Sequence, residues 1–160
     1  MGQFIFVNLG LLVVAFSLRG SEACCPCGWS SYDKYCYKVF AKEKVWDDAE
    51  KFCMEQGKGG HVVSLGSIEE GDFVGKLISK KLKNQPDFVW IGMRAQDQGL
   101  QCSRRWSDGS TMVYENWNGL YSKKCLTLTK RTEYLKWLNY NCGFTLPFVC
   151  KFLAEPDDPE

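Results

Sequence analysis

Nine cysteines in a chain of 160 residues constrain the fold more than any other feature. Disulfides persist only where thiols are not kept reduced, so this density points to a secreted domain held together by cross-links. Cys24, Cys25 and Cys27 crowd one end of the cysteine array. Near neighbours cannot easily meet disulfide geometry, in which Cα atoms lie about 4.4–6.8 Å apart, so each of these three needs a different partner. An odd total leaves at least one cysteine free or bonded to another chain. Spacing alone permits many pairings.

The first segment agrees with secretion. Phe4 to Phe16 is an almost unbroken apolar run of thirteen residues, short of the roughly 20 that a spanning helix needs. Ser21-Glu22-Ala23 then places small residues where a signal peptidase reads, so residues 1–23 are expected to be a signal peptide and 24–160 the mature chain. No Asn-x-Ser/Thr sequence occurs, so no N-linked glycan is expected. A 45% apolar chain of this length can bury one core but not two. Twenty basic against nineteen acidic side chains leave a formal charge of +1, which gives no global field for nucleic acid or an anionic membrane. Neither nucleic-acid binding nor membrane insertion is expected.

Local patterns give an α+β reading. Tyr35, Tyr37 and Val39 alternate as in a strand. Trp46, Ala49, Phe52 and Cys53 recur at helical spacing, with Asp47, Asp48 and Glu50 near the start, where the helix dipole favours carboxylates. A second helix is expected from Ser67, which can cap while Glu70 reaches back, with Phe73, Val74, Leu77 and Ile78 on one side. Gly71 and Gly75 each weaken it by about 1 kcal/mol relative to Ala. Short strands follow at 88–91, 126–128, 135–137 and 148–152. Between the first two lies a long connection, Arg94 to Ser122, carrying Trp106, Tyr114, Trp117 and Tyr121; a loop of that length is usually functional. The last segment, 154–160, holds four acids and two prolines with nothing apolar to bury, and is expected to be a disordered acidic tail.

Several ordered anchors carry a resemblance. Cys25-Pro26-x-x-Trp29, Cys36-Tyr37, Trp46-x-Asp48-Ala49-Glu50-x-Phe52-Cys53, His61-Val62-Val63-Ser64, Trp90-Ile91-Gly92, Trp106-Ser107-Asp108-Gly109 and Phe148-Val149-Cys150-Lys151-Phe152 together resemble the C-type lectin-like domain. Within it they are most similar to the snake-venom subunits called snaclecs, and to their α-type chains in the C-terminal half. The likeness spans Cys25 to Phe152 and implies a domain over 24–153 with two helices, short antiparallel strands and a long loop exchanged between subunits. It implies internal bridges Cys25–Cys36, Cys53–Cys150 and Cys125–Cys142. It also implies an interchain disulfide from Cys102 to a homologous β-type subunit, and larger rings of heterodimers through Cys24. Cys27 matches no position of the family, and for both Cys24 and Cys27 a free or capped surface thiol is the plainer alternative. The loop aromatics belong either to the core or to the subunit interface; we assign Trp106 to the core, and Trp117 and Tyr121 to the interface.

The resemblance raises calcium, and the residues argue against it. A hard cation needs several oxygens, some of them anionic. Sugar-binding members carry an acidic Pro-containing stretch on the long loop and an Asn-Asp pair after a tryptophan. Here Trp137 is followed by Leu138 and Asn139, and only NGLYSKK separates Trp117 from Cys125. Gln85-Pro86-Asp87 spells a sugar motif on the wrong side of the loop and reads as a turn. A second, structural calcium site of the family would fall on Ser64, Gly66, Glu70 and Lys151, where Lys151 places an ammonium instead of a carboxylate. No cofactor and no metal are expected.

Catalysis is not expected either. His61 is the sole histidine, and Gly-x-Ser-x-Gly, His-Glu-x-x-His and phosphate-loop spacings are missing. Gly57-Lys58-Gly59-Gly60 reads as a turn, His61 as a structural histidine, and Asp47-Asp48 and Glu69-Glu70 as solvated first-turn acids. Lys76, Lys80, Lys81 and Lys83, with Arg104-Arg105 on the loop, form either a solvated basic face or a surface for an acidic partner. The expected function is a non-enzymatic venom toxin subunit that binds platelet receptors, von Willebrand factor or clotting factors and alters haemostasis. Its alternatives are a calcium-dependent galactose-binding lectin and a light chain tethered to a venom metalloproteinase.

Overall fold

The computed structural model describes residues 24–94, 105–117 and 123–155. Their elements run β1 (Ser30–Tyr32), β2 (Tyr35–Lys44), α1 (Trp46–Met54), β3 (His61–Val62), α2 (Ile68–Lys81), β4 (Phe88–Arg94), β5 (Cys125–Thr129), β6 (Trp137–Tyr140) and β7 (Leu146–Leu153). The strands form one sheet in the order β1-β2-β7-β4-β5-β6, with β3 paired to β7. The signal-peptide and tail assignments on 1–23 and 156–160 lie outside the described residues, as do Arg104, Cys102 and Tyr121.

The central strands are apolar on both faces because each face supports its own core. Along β4, Val89, Ile91 and Met93 join a cluster with Val74, Ile78, Leu126 and Trp137. Trp90 between them joins a second cluster with Trp46, Ala49, Cys53 and Phe148. β7 divides in the same way, with Val149 in the first cluster and Phe148 and Cys150 in the second. Side chains alternate across a strand, so these memberships put α2 on one face and α1 on the other. Both helices bury the stripe that their spacing foretells: Trp46, Ala49 and Cys53 on α1, and Val74, Leu77 and Ile78 on α2. Two buried indoles find acceptors, Trp46 Nε1 at the Ile91 carbonyl and Trp90 Nε1 at the Lys44 carbonyl, each at 2.9 Å, as buried indole N–H groups usually do; the buried Trp137 Nε1 has none among the described residues.

Four details differ from the sequence reading. The sheet is mixed rather than purely antiparallel, since β4 meets β7 in parallel at Trp90 and Phe148. β2 is no short strand, with 10 residues and an irregularity between Phe40 and Lys44. The strand expected at 135–137 instead begins at Trp137. Ahead of it a 3₁₀ turn, Lys130–Thr132, leads into Glu133 and Tyr134 at φ 55° and 60°, and the Leu135 amide donates to the Thr132 carbonyl. That backbone cannot extend until the turn is complete. Finally, order continues past the expected start of the tail: Ala154 is buried, its amide donates to the Lys34 carbonyl at 2.9 Å, and Glu155 bridges Cys24.

At Gly92, within β4, the backbone of β3 comes so close that a Cβ would overlap the Val62 carbonyl group. The Gly92 amide donates to the Val63 carbonyl at 2.8 Å, and its carbonyl accepts from the Ser107 amide at 2.7 Å. This one residue therefore joins sheet, β3 and the base of the long loop. Gly92→Ala is expected to destabilise the domain by about 1–3 kcal/mol or more through forced separation of these segments. Denaturant unfolding monitored by tryptophan fluorescence measures it, and an unchanged midpoint would contradict the account.

Candidate functional site

The most connected polar group of the interior is the Lys151 ammonium on β7. Its Nζ donates to Glu70 Oε1 at 2.6 Å and to the Ser64 carbonyl and Oγ at 3.2 Å. The Tyr35 ring lies 4.2 Å from it, centroid to nitrogen, close enough for a cation–π contact. Glu70 sits in the first turn of α2, whose N-cap Ser67 accepts from the Glu70 amide at 3.2 Å. The carboxylate does reach backward, as the capping pattern suggests, but its Oε2 accepts from the Gly66 amide at 2.8 Å rather than from Ser67. Its Oε1 also accepts from the Tyr37 hydroxyl at 2.7 Å. Burial, reinforced by the neighbouring Glu70 carboxylate, pushes the Tyr37 phenol far above its ordinary range, so it stays a donor.

Ser64 extends the network to the long loop by donating to Asp108 Oδ2. The other Asp108 oxygen accepts from the Ser110 amide and hydroxyl at 2.8 and 2.6 Å. Burial raises the Asp108 carboxyl, but the hydrogen bonds from Ser110 and Ser64 and the Lys151 charge outweigh it and hold the group below the usual aspartate range. Its folded value lies below its unfolded one, so this stabilisation is complete above the unfolded pKa of about 4 and is lost as pH falls through the folded value. A Ser–Lys pair at 3.2 Å invites a catalytic reading, but the Ser64 residue is only 4% exposed. Its proton is committed to Asp108, and the lysine to Glu70. The cluster is an anchor. Ser64, Gly66, Glu70 and Lys151, the four positions to which the resemblance would assign a structural calcium site, meet here, and the ammonium pairs with Glu70 and Ser64 oxygens.

A second anchor holds the same turn from its other side. Glu50 on α1 accepts from the Val62 amide at 2.9 Å and from Ser107 Oγ at 3.1 Å, and pairs with His61 Nδ1 at 2.6 Å. His61 is thus a structural residue at the start of β3, and Glu50 is held by His61, Val62 and Ser107. Glu70, read from the sequence as a solvated first-turn acid, is instead buried and paired with Lys151, because the reach back from the first turn of α2 brings it under β7. Asp47, exposed, pairs with Arg94 where β4 gives way to the loop. Consecutive residues Ser107 and Asp108 tie the Trp106–Ser110 turn to both helices, closed by the Trp106 amide on the Ser110 carbonyl at 2.9 Å. Trp106 is buried. It packs edge-on against Trp137 at 5.2 Å, and Tyr114 and Trp117 approach the same ring at 5.4 and 5.6 Å. Trp117, assigned to the interface, is half-buried on its own domain, and its Nε1 donates to Glu115 Oε2 at 2.9 Å. Tyr121 lies outside the described residues.

The sequence singled out Asp108 only as part of a motif. Its Asx-like bond to Ser110 was readable from spacing, whereas its contact with Ser64 joins residues 44 apart. Where the resemblance would put a sugar-binding calcium site, Asn139 Nδ2 donates to the Lys123 carbonyl at 2.8 Å, and the Leu138 carbonyl accepts from Thr127 Oγ1 at 3.1 Å. No cluster of three or more His, Cys, Asp or Glu suited to a metal occurs among the described residues.

The structure joins Cys25–Cys36, Cys53–Cys150 and Cys125–Cys142, with Cα separations of 5.5, 5.3 and 5.3 Å. Cys53–Cys150 links α1 to β7 across 97 residues of sequence. Cys24 and Cys27 are exposed and carry no disulfide among the described residues. Cys102, given the interchain role, lies outside the described residues.

The Lectin C-type domain family model matches residues 42–152. The chain is 78% identical over 160 residues to a snaclec chain of Philodryas olfersii, covering 100% of both chains. It is 55% identical over 151 residues to a chain of the snaclec coagulation factor IX/factor X-binding protein of Trimeresurus stejnegeri, covering 94% of this chain and 99% of that one. Among solved structures, rhodocetin in complex with the integrin alpha2-A domain is similar at 44% identity and a TM-score of 0.65, covering 82% of this chain and 100% of that one. With its two-helix mixed sheet, doubly anchored loop base and full-length likeness to a protein of this kind, the chain belongs to the C-type lectin domain family and, within it, to the snaclecs of snake venom.

Proposed function

We propose that this chain is a secreted, non-enzymatic subunit of a disulfide-linked venom heterodimer that binds a platelet receptor, von Willebrand factor or a clotting factor and thereby alters haemostasis. The observation that carries the reading is its identity of 78% over full length to a chain named as one subunit of a snaclec. Relatives named for factor IX and factor X binding, and for an integrin domain in complex, give the class of target. The partner is a homologous β-type subunit, joined through Cys102, with Trp117 and Tyr121 in the contact. Cys24 extends such pairs into larger rings. One copy bound to a target blocks it sterically. A ring clusters several receptors, because linked sites raise effective concentration without new contacts.

The chemistry of the anchor favours recognition that does not use calcium. Lys151 makes the pairings that a divalent cation would make with Glu70 and Ser64, so the fold needs no metal there. Titration of calcium into the protein is expected to show no stoichiometric high-affinity site. Lys151→Glu should reverse this: three carboxylates would then crowd one buried site, costing about 3–5 kcal/mol without metal, and calcium should restore the lost stability. A micromolar calcium site in the unaltered protein, or a Lys151→Glu variant indifferent to calcium, would contradict the assignment.

The covalent assembly is tested by electrophoresis and mass. Without reductant, the native protein should migrate at about twice the reduced subunit mass or more, and Cys102→Ser should abolish the covalent pair. Cys24→Ser should leave the three internal bridges and the fold intact but reduce a ring to a single heterodimer, read by light scattering. Equal masses for native protein and Cys24→Ser would dismiss the ring. Unchanged mobility with and without reductant would dismiss the heterodimer. Loss of effect on both plasma clotting and platelet aggregation in the purified assembly would dismiss the target class.

A further inference from the structure

The lysines of α2 are not accounted for by the calcium-like anchor or by the proposed interchain contacts. The side chains of Lys76 and Lys80 on α2 and of Lys83 just beyond its end are exposed, and none makes a hydrogen bond or ion pair among the described residues. On their own they would suit the negative end of the helix dipole. A second element, however, adds cations that this explanation does not reach. Lys130, Arg131 and Lys136 are also exposed, and their side chains are likewise unpaired among the described residues.

Gly75 brings the two elements together. It is buried on α2, and a Cβ there would sit 3.0 Å from the Glu133 carbonyl oxygen and 3.3 Å from that of Tyr134. A Cβ there would press on both carbonyls and push the turn away by a few tenths of an ångström. The 83–88 loop closes the far end, where the Lys130 amide donates to the Asp87 carbonyl at 2.9 Å and the Tyr134 hydroxyl to the Pro86 carbonyl at 2.6 Å. An open groove of about 660 Å³ runs between α2 and the turn, with Lys76 and Lys80 on one side and Glu133 and Leu135 on the other.

Hydrogen bonds hold the backbone of the turn that carries these cations. Thr129 Oγ1 accepts from the Arg131 amide and Thr132 Oγ1 from the Lys136 amide, at 3.3 and 3.0 Å. Tyr134, 1% exposed, pins the turn to the core. The formal charge of the whole chain is only +1, so six unpaired cations on these two adjoining elements, against Asp72 and Glu133 in the groove itself, are a local excess of positive charge, which steers an oppositely charged partner.

We infer that the groove between α2 and the 130–136 turn is a docking site for an acidic segment of a protein partner. This deepens the function proposed above by giving the chemistry of the target, and rests on it only for the partner being a plasma or cell-surface protein. A peptide fits better than a sulfated polysaccharide. Asp72 and Glu133 line the groove together with Lys76 and Lys80 and would repel a uniformly dense anion. A peptide can instead set a neutral residue opposite them and an apolar side chain against Leu135.

The test uses the full secreted chain in its isolated covalent state. Its binding is titrated by fluorescence anisotropy against a short synthetic peptide rich in Asp and Glu, made with and without sulfotyrosine, and against a heparin oligosaccharide. Saturable, salt-sensitive peptide binding is expected. Reversing Lys76, Lys80 and Lys130 to Glu should weaken it at least about tenfold. Reversing Lys42, Lys51 and Lys58, exposed lysines elsewhere, makes the same change in net charge and should leave it within about twofold. If the groove variant fails to reach the native unfolding midpoint, Lys76→Ala and Lys130→Ala serve instead, each weakening binding by about two- to fivefold. Equal loss in both triple variants, no saturable peptide binding, or binding of heparin alone would overturn the inference. An assembly that binds the peptide yet leaves platelets and plasma clotting unaffected would overturn the earlier reading while upholding the groove.

Discussion

One buried ammonium organises the polar interior of this domain. Lys151 lies on β7, its main acceptor Glu70 opens α2, Ser64 lies between β3 and α2, and Tyr35 and Tyr37 come from β2. A charge removed from water is tolerated only when paired and hydrogen-bonded, and each element supplies part of that pairing. Loss of one partner would leave the other charged and unpaired, at a cost of about 3–5 kcal/mol. A metal would do the same electrostatic work only while bound. A lysine carries its charge on the chain and makes the arrangement independent of ion concentration.

The consequence reaches the long loop. Asp108 receives the network through Ser64, and Ser107 beside it receives the Glu50–His61 pair from the opposite side of the sheet. Two adjacent residues thus fix the Trp106–Ser110 turn to both helices, while Trp137 provides a buried ring against which Trp106, Tyr114 and Trp117 pack. Binding segments on a rigid base lose less freedom when they meet a partner. The same principle suits the basic groove, whose turn is locked by threonine hydroxyls and by Tyr134.

Both cores depend on a sheet buried on two faces. The apolar runs of β4 and β7 had no clean alternation, since neighbouring residues serve different clusters. That is why periodicity located these strands but could not say which residue faces which helix. Cys53–Cys150 then fastens α1 to β7 within the second cluster.

The sequence by itself determined what local chemistry specifies. The helical stripes of α1 and α2, the Ser67 cap and the turn at 57–60 follow from spacing and side-chain type within a few residues. The cysteine count spoke for cross-linking, while the pairings came from likeness to a family rather than from spacing. Tertiary structure decided the rest. β1 and β3, of 3 and 2 residues, are too short to show a period and exist only because β2 and β7 accept their hydrogen bonds. β6 starts at Trp137 because Glu133 and Tyr134, at positive φ, complete a turn first, and that turn lies against Gly75, far away in the chain. Glu70 read as a solvated first-turn acid, and its role appeared only when Lys151 was brought to it; Glu50 and Asp108 likewise meet His61 and Ser64 only in the folded chain. Composition and period encode which face of an element is apolar, but the partner of a buried charge is set by packing across the whole chain.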